Sequence, residues 1–270
     1  MPITTNTVSF EGGTGYLAWP ERAATPLPAV VVIQEVWGLD SHIRDVTQRI
    51  AAAGYAALAP DLYAIDGRRP VEVSEERVIE VLGFLNAAPP IVRQDAAART
   101  AALQKLPAEL GSRIDEAYRA LFANIGRLPE FVRPLLNATR FLRYECEVSR
   151  QQKVACVGFC MGGGLSALLA AHDPDLAGAA IFYGQAPSPE HIRNIKSPVV
   201  GFYGELDERV NAGIPALVAA MKAENKSFDY QVYPGAQHAF FNDTRPSYDV
   251  RAARDSYSRL LEFLRRTVGS

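Results

Sequence analysis

The sequence lacks the features that mark membrane-spanning, secreted and disulfide-stabilised proteins. In its 270 residues no apolar run approaches the roughly 18 residues that a bilayer-crossing helix needs. The segment from Met1 to Gly15 has no basic stretch followed by an apolar one, so we expect no signal peptide. The cysteine count of 3 is odd and small for this length, which disfavours a disulfide framework. We therefore expect a cytoplasmic protein with no membrane partner.

The sequence also lacks an excess of basic residues and the usual patterns for binding metals and phosphates. Its 28 lysines and arginines and 30 acidic residues give a net charge of −2 without a long basic run, so we expect no nucleic-acid partner. Cys156 and Cys160 have no second His or Cys pair at zinc-binding spacing, so we expect no metal. Neither Gly-Lys-Ser/Thr nor Gly-x-Gly-x-x-Gly occurs at the glycine-rich turn around Cys160. We therefore expect the partner to be a small molecule. We expect the protein to be a monomer or a small homo-oligomer.

Strand-length runs alternate with helical stretches over two parts of the chain. The predicted strands are Ala29–Ile33, Tyr55–Ala59, Val154–Phe159, Ala177–Tyr183, Pro198–Tyr203 and Phe228–Tyr233. An edge hairpin is predicted from Thr7–Phe10 and Gly15–Trp19, joined through Glu11–Thr14. Strands that alternate with helices predict an α/β protein with a doubly wound, mostly parallel sheet.

The segment between Asp66 and about Gln151 breaks this alternation. Its predicted helices are Val73–Leu85, Val92–Leu106, Ile114–Ile125 and Glu130–Tyr144. A segment this long without a predicted strand exceeds a simple crossover connection. We therefore predict a single domain over residues 1–270, in which about 66–150 form a helical insertion or cap with crossover helices.

A sharp corner joins the predicted strand Val154–Phe159 to an alanine-rich helix. The corner reads Gly158-Phe159-Cys160-Met161-Gly162, which is the nucleophile elbow of α/β-hydrolases with cysteine in place of serine. The two glycines suit a residue with strained backbone angles packed closely against its neighbours. The start of a helix also favours a thiolate. A buried structural cysteine in a glycine-rich turn is the alternative.

Two further residues complete a catalytic order along the chain. Asp207 and His238 each follow a predicted strand, and the order nucleophile, acid, histidine is that of α/β-hydrolases. Ligands of parallel sheets bind beyond the carboxyl ends of the strands, so these loops would converge on Cys160. Histidine would take the thiol proton while the aspartate orients the imidazole. A turn role for Asp207, with Glu205 or Glu208 as the acid, stays open.

Seven segments together resemble the dienelactone hydrolases, also called carboxymethylenebutenolidases. These are Gln34–Gly38, Ile43–Asp45, Gly54–Tyr55 with Ala59–Tyr63, Gly158–Gly163, Phe182–Gly184, Gly204–Asp207 and Tyr233–Phe240. The resemblance covers residues 30 to 65 and 150 to 265. It implies an α/β-hydrolase fold, a Cys-Asp-His triad, hydrolysis of lactones or carboxylic esters through an acyl-cysteine, and no metal or organic cofactor. In the family this chemistry belongs to bacterial degradation of aromatic compounds.

The resemblance also implies a role for Glu35, which follows the predicted strand Ala29–Ile33. It would contact the resting Cys160 thiol and share its proton until substrate displaces it. The alternative is a glutamate at the start of the next helix that caps it or forms a salt bridge, with Arg44 as the candidate partner.

Four more positions receive roles from the same resemblance. The backbone N–H groups of Val36 and Met161 would form an oxyanion hole. Trp37 would be an apolar wall of the cleft, although an exposed or core tryptophan is an equal alternative, and Tyr183 would line the cleft.

One position departs from the family pattern. An arginine four residues after the catalytic histidine helps to hold the substrate carboxylate, and here that position is Asn242. Asparagine supplies hydrogen bonds but no charge. The departure favours a larger or less anionic ester than the free lactone acid. A binding protein of the same fold that has lost turnover is a further alternative, which the intact Cys, Asp and His disfavour.

Overall fold

One mixed sheet organises the computed structural model, which describes residues 2–89 and 91–269. Its strands are β1 (Ile3–Phe10), β2 (Gly13–Pro20), β3 (Ala29–Ile33), β4 (Ala56–Pro60), β5 (Val154–Phe159), β6 (Ala179–Phe182), β7 (Val199–Gly204) and β8 (Phe228–Tyr233). Within the described residues these strands form an 8-stranded sheet in the order β1-β2-β4-β3-β5-β6-β7-β8. β1 and β2 form an antiparallel hairpin, β2 pairs antiparallel with β4, and the strands from β4 to β8 are parallel. The predicted doubly wound, mostly parallel sheet of an α/β-hydrolase fold is confirmed.

The central strands are apolar because helices cover both faces of the sheet. Every residue of β3 and β5 is buried, as expected for parallel strands between two layers of helices. The helices are α1 (Ser41–Ala52), α2 (Glu75–Ala87), α3 (Ile91–Gln94), α4 (Ala96–Leu103), α5 (Ala108–Ala123), α6 (Val132–Arg140), α7 (Met161–His172), α8 (Pro189–Ile192), α9 (Glu208–Asn211), α10 (Ile214–Ala223) and α11 (Val250–Thr267). A π-helical turn at Phe141–Glu145 follows α6.

Side-chain caps set the start of the two helices that flank the site loops. The Asp40 carboxylate accepts a hydrogen bond from the Ile43 N–H at 3.0 Å and begins α1. Asp249 accepts from the Ala252 N–H at 3.0 Å and begins α11. Both helices bury one apolar stripe, which includes Ile43 in α1 and Leu260 in α11.

Tyr63–Arg127 forms a compact unit of its own, separate from the unit that contains the sheet. A 3₁₀ turn (Val71–Val73) and helices α2 to α5 make up this unit, in which α2 packs against α5. Val81 and Leu121 are among its fully buried side chains. A cap function for this helical segment stays a prediction.

The prediction of one continuous helix over Val92–Leu106 is wrong. The chain leaves the helical conformation at Asp95, whose φ of −111° and ψ of 122° are extended, and α4 ends at Leu103. The Asp95 carboxylate accepts from the Ala98 N–H at 2.6 Å, so it caps the new helix α4 instead of continuing α3. No helix in the described part of the chain is long and apolar enough to cross a membrane.

Candidate active site

The corner between β5 and α7 holds Cys160 in a conformation that few residues adopt. Its φ is 54° and its ψ is −112°, and its side chain is partly exposed whereas that of Cys156 is buried. A Cβ on Gly158 would lie 1.9 Å from the Gly162 carbonyl oxygen. A Cβ on Gly162 would lie 2.3 Å from the Ile33 carbonyl oxygen. The two glycines therefore let the strand, the turn and the helix approach closely enough to raise Cys160 above the sheet edge.

Cys156 has the environment of a core residue. It is 0% exposed, and burial raises the pKa of its thiol to about 12. Cys160, by contrast, is partly exposed and stands at the N-terminus of α7.

Asp207 and His238 meet at the same edge of the sheet. Asp207 follows β7, His238 follows β8, and the Asp207 carboxylate hydrogen-bonds the Nδ1 atom of His238. Only 7% of the Asp207 side chain is exposed, compared with 33% for His238. Of the other two acids in this loop, Glu205 accepts from the Gly235 N–H at 2.8 Å, and Glu208 is exposed at the start of α9. The geometry therefore selects Asp207 as the partner of the imidazole.

Cys160 and Asp207 together determine the protonation of His238. Burial lowers the pKa of the imidazole, but the charge of Cys160 and the hydrogen bonds that the ring makes to Asp207 and Cys160 outweigh it and raise this pKa to about 10. At neutral pH the site therefore favours the protonated imidazole of His238.

Glu35 lies directly behind this pair, at the end of β3. It is 1% exposed, and its carboxylate accepts hydrogen bonds from the Tyr183 hydroxyl at 3.2 Å and the Asn242 amide at 2.8 Å. Asp40, not Glu35, caps α1, and Arg44 stacks over the Tyr16 ring, 5.2 Å from its centroid. Glu35 is therefore neither the helix cap nor a partner of Arg44 in the described residues.

The remaining predicted residues surround the same corner. Val36 follows Glu35 and Met161 opens α7, and their side chains are 3% and 5% exposed. Trp37 is half-buried. Tyr183 and Asn242 are fully buried, and their side chains hydrogen-bond to Glu35. The oxyanion-hole and substrate-binding roles of these residues stay predictions.

The sequence did not single out Arg245 and Thr244. The Arg245 guanidinium lies 4.5 Å from the centroid of the Trp37 ring, and the residue is 9% exposed. Thr244 donates to the Asn242 side-chain oxygen from its backbone N–H at 3.1 Å and from its hydroxyl at 2.7 Å. Both residues lie in an irregular loop, where neither strand nor helix periodicity carries a signal.

Comparison with known proteins gives matches over nearly the whole chain. The model of the dienelactone hydrolase family matches residues 14–268. A protein of Saccharolobus solfataricus with the provisional name carboxymethylenebutenolidase is 38% identical over 254 residues, which are 93% of this chain and 93% of that protein. A protein of Methylorubrum extorquens with the same provisional name is 30% identical over 262 residues, covering 93% of this chain and 76% of the relative.

A solved structure is similar over the same extent. The crystal structure of a provisionally named dienelactone hydrolase from Klebsiella pneumoniae subsp. pneumoniae has a TM-score of 0.69 and 26% sequence identity. The match covers 97% of this chain and 98% of that one.

Proposed function

Because the chain belongs to the dienelactone hydrolase family and is a hydrolase of ester and lactone bonds, we propose that it acts through an acyl-enzyme on Cys160. The observation that carries the proposal is the contact of three side chains from three loops. Cys160 on its strained corner reaches His238, and Asp207 holds the other side of the imidazole. This arrangement is that of a nucleophile, its base and the group that orients the base.

The first half of the reaction forms the thioester. The Cys160 proton resides on His238 Nε2, and the thiolate attacks the substrate carbonyl carbon. The carbonyl oxygen becomes an oxyanion that the backbone N–H groups of Val36 and Met161 stabilise. When the carbon–oxygen bond breaks, His238 returns its proton to the leaving alkoxide or enolate. In a lactone the leaving group stays attached to the acyl chain.

The second half regenerates the thiol. His238 takes a proton from water, and the resulting hydroxide attacks the thioester carbon. The carbon–sulfur bond then breaks, the carboxylic acid leaves, and Cys160 returns to its starting state. Asp207 accepts a hydrogen bond from the imidazole Nδ1–H and holds the ring in the required tautomer.

The nucleophile limits the substrate class. A thiolate leaves more readily than an amine, so a tetrahedral intermediate from an amide reverts, whereas esters and lactones with stabilised leaving oxygens proceed. We therefore propose that the substrates are small-molecule esters and lactones. We also propose that the protein is cytoplasmic and is a monomer or a small homo-oligomer. A second substrate candidate, a larger or neutral ester, is favoured by the buried Asn242 amide, which supplies no positive charge.

Trapping the acyl-enzyme tests this function. With a slowly turned-over nitrophenyl ester, we expect a burst of one nitrophenol per chain and an acyl mass on the peptide that contains Cys160. Cys160→Ala should abolish both, whereas Cys156→Ala, the matched change on the preceding strand β5, should keep them. Tight ester binding without a burst or a label would identify a binding protein instead.

A further inference from the structure

The turn after β3 carries Val36 between two neighbours that are each held by other side chains. The Gly38 N–H donates to the Glu35 carbonyl oxygen at 3.2 Å and closes this turn, which we call the 35–38 turn. Val36 and Trp37 are its two central residues, so the closing hydrogen bond uses neither of their backbone groups. The contacts of the side chains on either side of Val36 therefore contribute to the orientation of its N–H group.

The residue before Val36 is held by the loop after β8. The Asn242 amide donates to Glu35 Oε2 at 2.8 Å, and the Tyr183 hydroxyl donates to Oε1 at 3.2 Å. The Asn242 oxygen accepts from the N–H and the hydroxyl of Thr244 at 3.1 and 2.7 Å, so the amide nitrogen has to face Glu35. Glu35 is 1% exposed and Asn242 is 0% exposed, so bulk water does not compete for this contact.

The residue after Val36 is held by the same loop. The Arg245 guanidinium lies over the Trp37 ring, 4.5 Å from its centroid, and Arg245 is 9% exposed. A cation on an aromatic face is held more strongly where water is excluded. Burial is the largest effect on the pKa of Tyr183 and raises it, whereas the charge of Arg245 lowers it. The guanidinium therefore lies close to the groups that hold Glu35.

His238 lies on this loop as well. The Asn242 N–H donates to the Ala239 carbonyl oxygen at 3.0 Å, and the Arg245 N–H donates to the Asn242 carbonyl oxygen at 3.0 Å. Two successive turns therefore join His238 to Asn242 and Arg245. One loop thus supplies the proposed base and the contacts on both sides of Val36.

We propose that Arg245 is a positioning residue for the oxyanion hole and that it acts through Trp37. Its contact keeps the Val36 N–H at a fixed distance from His238, so the oxyanion donor and the base stay aligned while the carbonyl oxygen gains its charge. This inference deepens the proposed function and rests on it. In this role the guanidinium charge is used within the protein rather than on the substrate.

Steady-state kinetics with a neutral nitrophenyl ester test the proposal. Arg245→Met keeps a side chain beside the Trp37 ring but removes the guanidinium. Removal of a whole oxyanion donor costs about 10²–10³ in kcat, so we expect a displaced donor to lower kcat and kcat/KM alike by about tenfold, with KM unchanged. Arg245→Lys keeps a cation for the ring and should recover most of the lost rate.

An oxyanion analogue separates positioning from substrate binding. With a trifluoromethyl ketone that carries the acyl chain of the ester, the Cys160 sulfur bonds to the carbonyl carbon and the carbonyl oxygen becomes an oxyanion. The amide with the same acyl chain binds without forming this oxyanion. Arg245→Met should raise the Ki of the ketone about tenfold and leave the Kd of the amide unchanged. A merely structural role would lower the thermal stability and leave the ratio of the two constants in place.

A double-mutant cycle tests whether Arg245 acts through Trp37. Trp37→Leu should lower kcat by about the same factor as Arg245→Met, and the double variant should be no slower than either single variant. Trp37→Leu removes the same contact from the other side, so it tests the proposal even if Arg245→Met does not fold. Arg44→Met is the matched control, because Arg44 lies over the Tyr16 ring, 5.2 Å from its centroid, and its loss should change neither kcat nor the ketone Ki.

Three results would overturn the inference. The first is an unchanged kcat and ketone Ki in both Arg245→Met and Trp37→Leu. The second is an equal weakening of ketone and amide binding, because Arg245 would then act on the bound ester and not on the oxyanion. The third is a double variant whose loss is the product of the two single losses. Failure of the proposed function is a separate result, because the wild type would then form no ketone adduct on Cys160 and Cys160→Ala would retain ester hydrolysis.

Discussion

At the scale of single residues, the candidate site concentrates backbone strain. Cys160, Tyr183 and Ala239 have φ values of 54°, 40° and 62°, although none is glycine. Cys160 is the proposed nucleophile, Tyr183 donates to Glu35, and Ala239 follows His238 directly. Left-handed non-glycine residues cost free energy and persist where the surrounding packing holds them. The backbone strain therefore lies at the positions that orient these side chains towards the candidate site.

The protonation of His238 should depend on its sulfur neighbour. In the wild type the imidazole pKa is raised to about 10, and the charge of Cys160 is the largest effect that raises it. In Cys160→Ala that charge is gone while burial still lowers the pKa, so we expect the value to fall from about 10 toward the ordinary 6.5. A pH titration of the imidazole by NMR measures this change.

The exposed His172 supplies the internal control for that titration, because its ring nitrogen bonds the Leu168 carbonyl oxygen far along α7. Its titration should be the same in both proteins. A His238 pKa that stays near 10 in Cys160→Ala would show that Asp207 alone retains the proton.

At the scale of elements, the site depends on how closely β5 and α7 approach. Gly158 lies on β5, and the α7 backbone at Gly162 occupies the space that a side chain would need. The carbonyl oxygens of Ile33 and Gln34, at the end of β3, take the equivalent space beside Gly162. Backbone groups cannot move aside as flexible side chains do, so these glycines fix the position of the proposed nucleophile relative to the Glu35 loop.

Gly158→Ala should therefore be costly. The added Cβ would lie 1.9 Å from the Gly162 carbonyl oxygen. We therefore expect the free energy of unfolding to fall by about 1–3 kcal/mol or more and turnover to be lost. Gly83→Ala is the matched control, because its Cβ on α2 meets nothing within 4 Å. That change should be neutral or stabilising by up to about 1 kcal/mol in denaturant unfolding. Equal stability of the two variants would contradict the close approach.

Elements with a repeating pattern were predictable and irregular contacts were not. β3 has the predicted bounds because it is a continuous apolar run that is buried throughout, and the edge strand β8 has them although only Tyr233 in it is buried. The break at Asp95 was missed because helix-favouring residues continue on both sides of it, although aspartate itself favours helix caps over helix interiors. The Asn242–Glu35 hydrogen bond was missed because it joins residues 207 positions apart, and the Thr244–Asn242 bonds were missed because they lie in a loop without periodicity.

At the scale of the whole molecule, the topology places acidic groups from distant parts of the chain around one sulfur. Glu35 follows β3 and Asp207 follows β7, and both lie at the carboxyl edge of the sheet. The chain also has a net charge of −2. The cation that the family pattern would supply at Asn242 is absent, and Arg245 stacks on Trp37 instead. We therefore expect the site to disfavour an anionic substrate.

We accordingly predict that a lactone methyl ester or amide has a higher kcat/KM than the free lactone carboxylic acid. Loss of one charge-assisted contact is worth about 1.5–3 kcal/mol. The kcat/KM for the acid should therefore be about tenfold to hundredfold lower in the wild type than in a protein with an arginine at position 242. The comparison is made at one pH and ionic strength for the wild type, Asn242→Arg and Arg245→Met. Asn242→Arg should move the preference toward the acid. A wild-type preference for the acid that disappears in Arg245→Met would contradict the prediction, because Arg245 would then supply the missing charge.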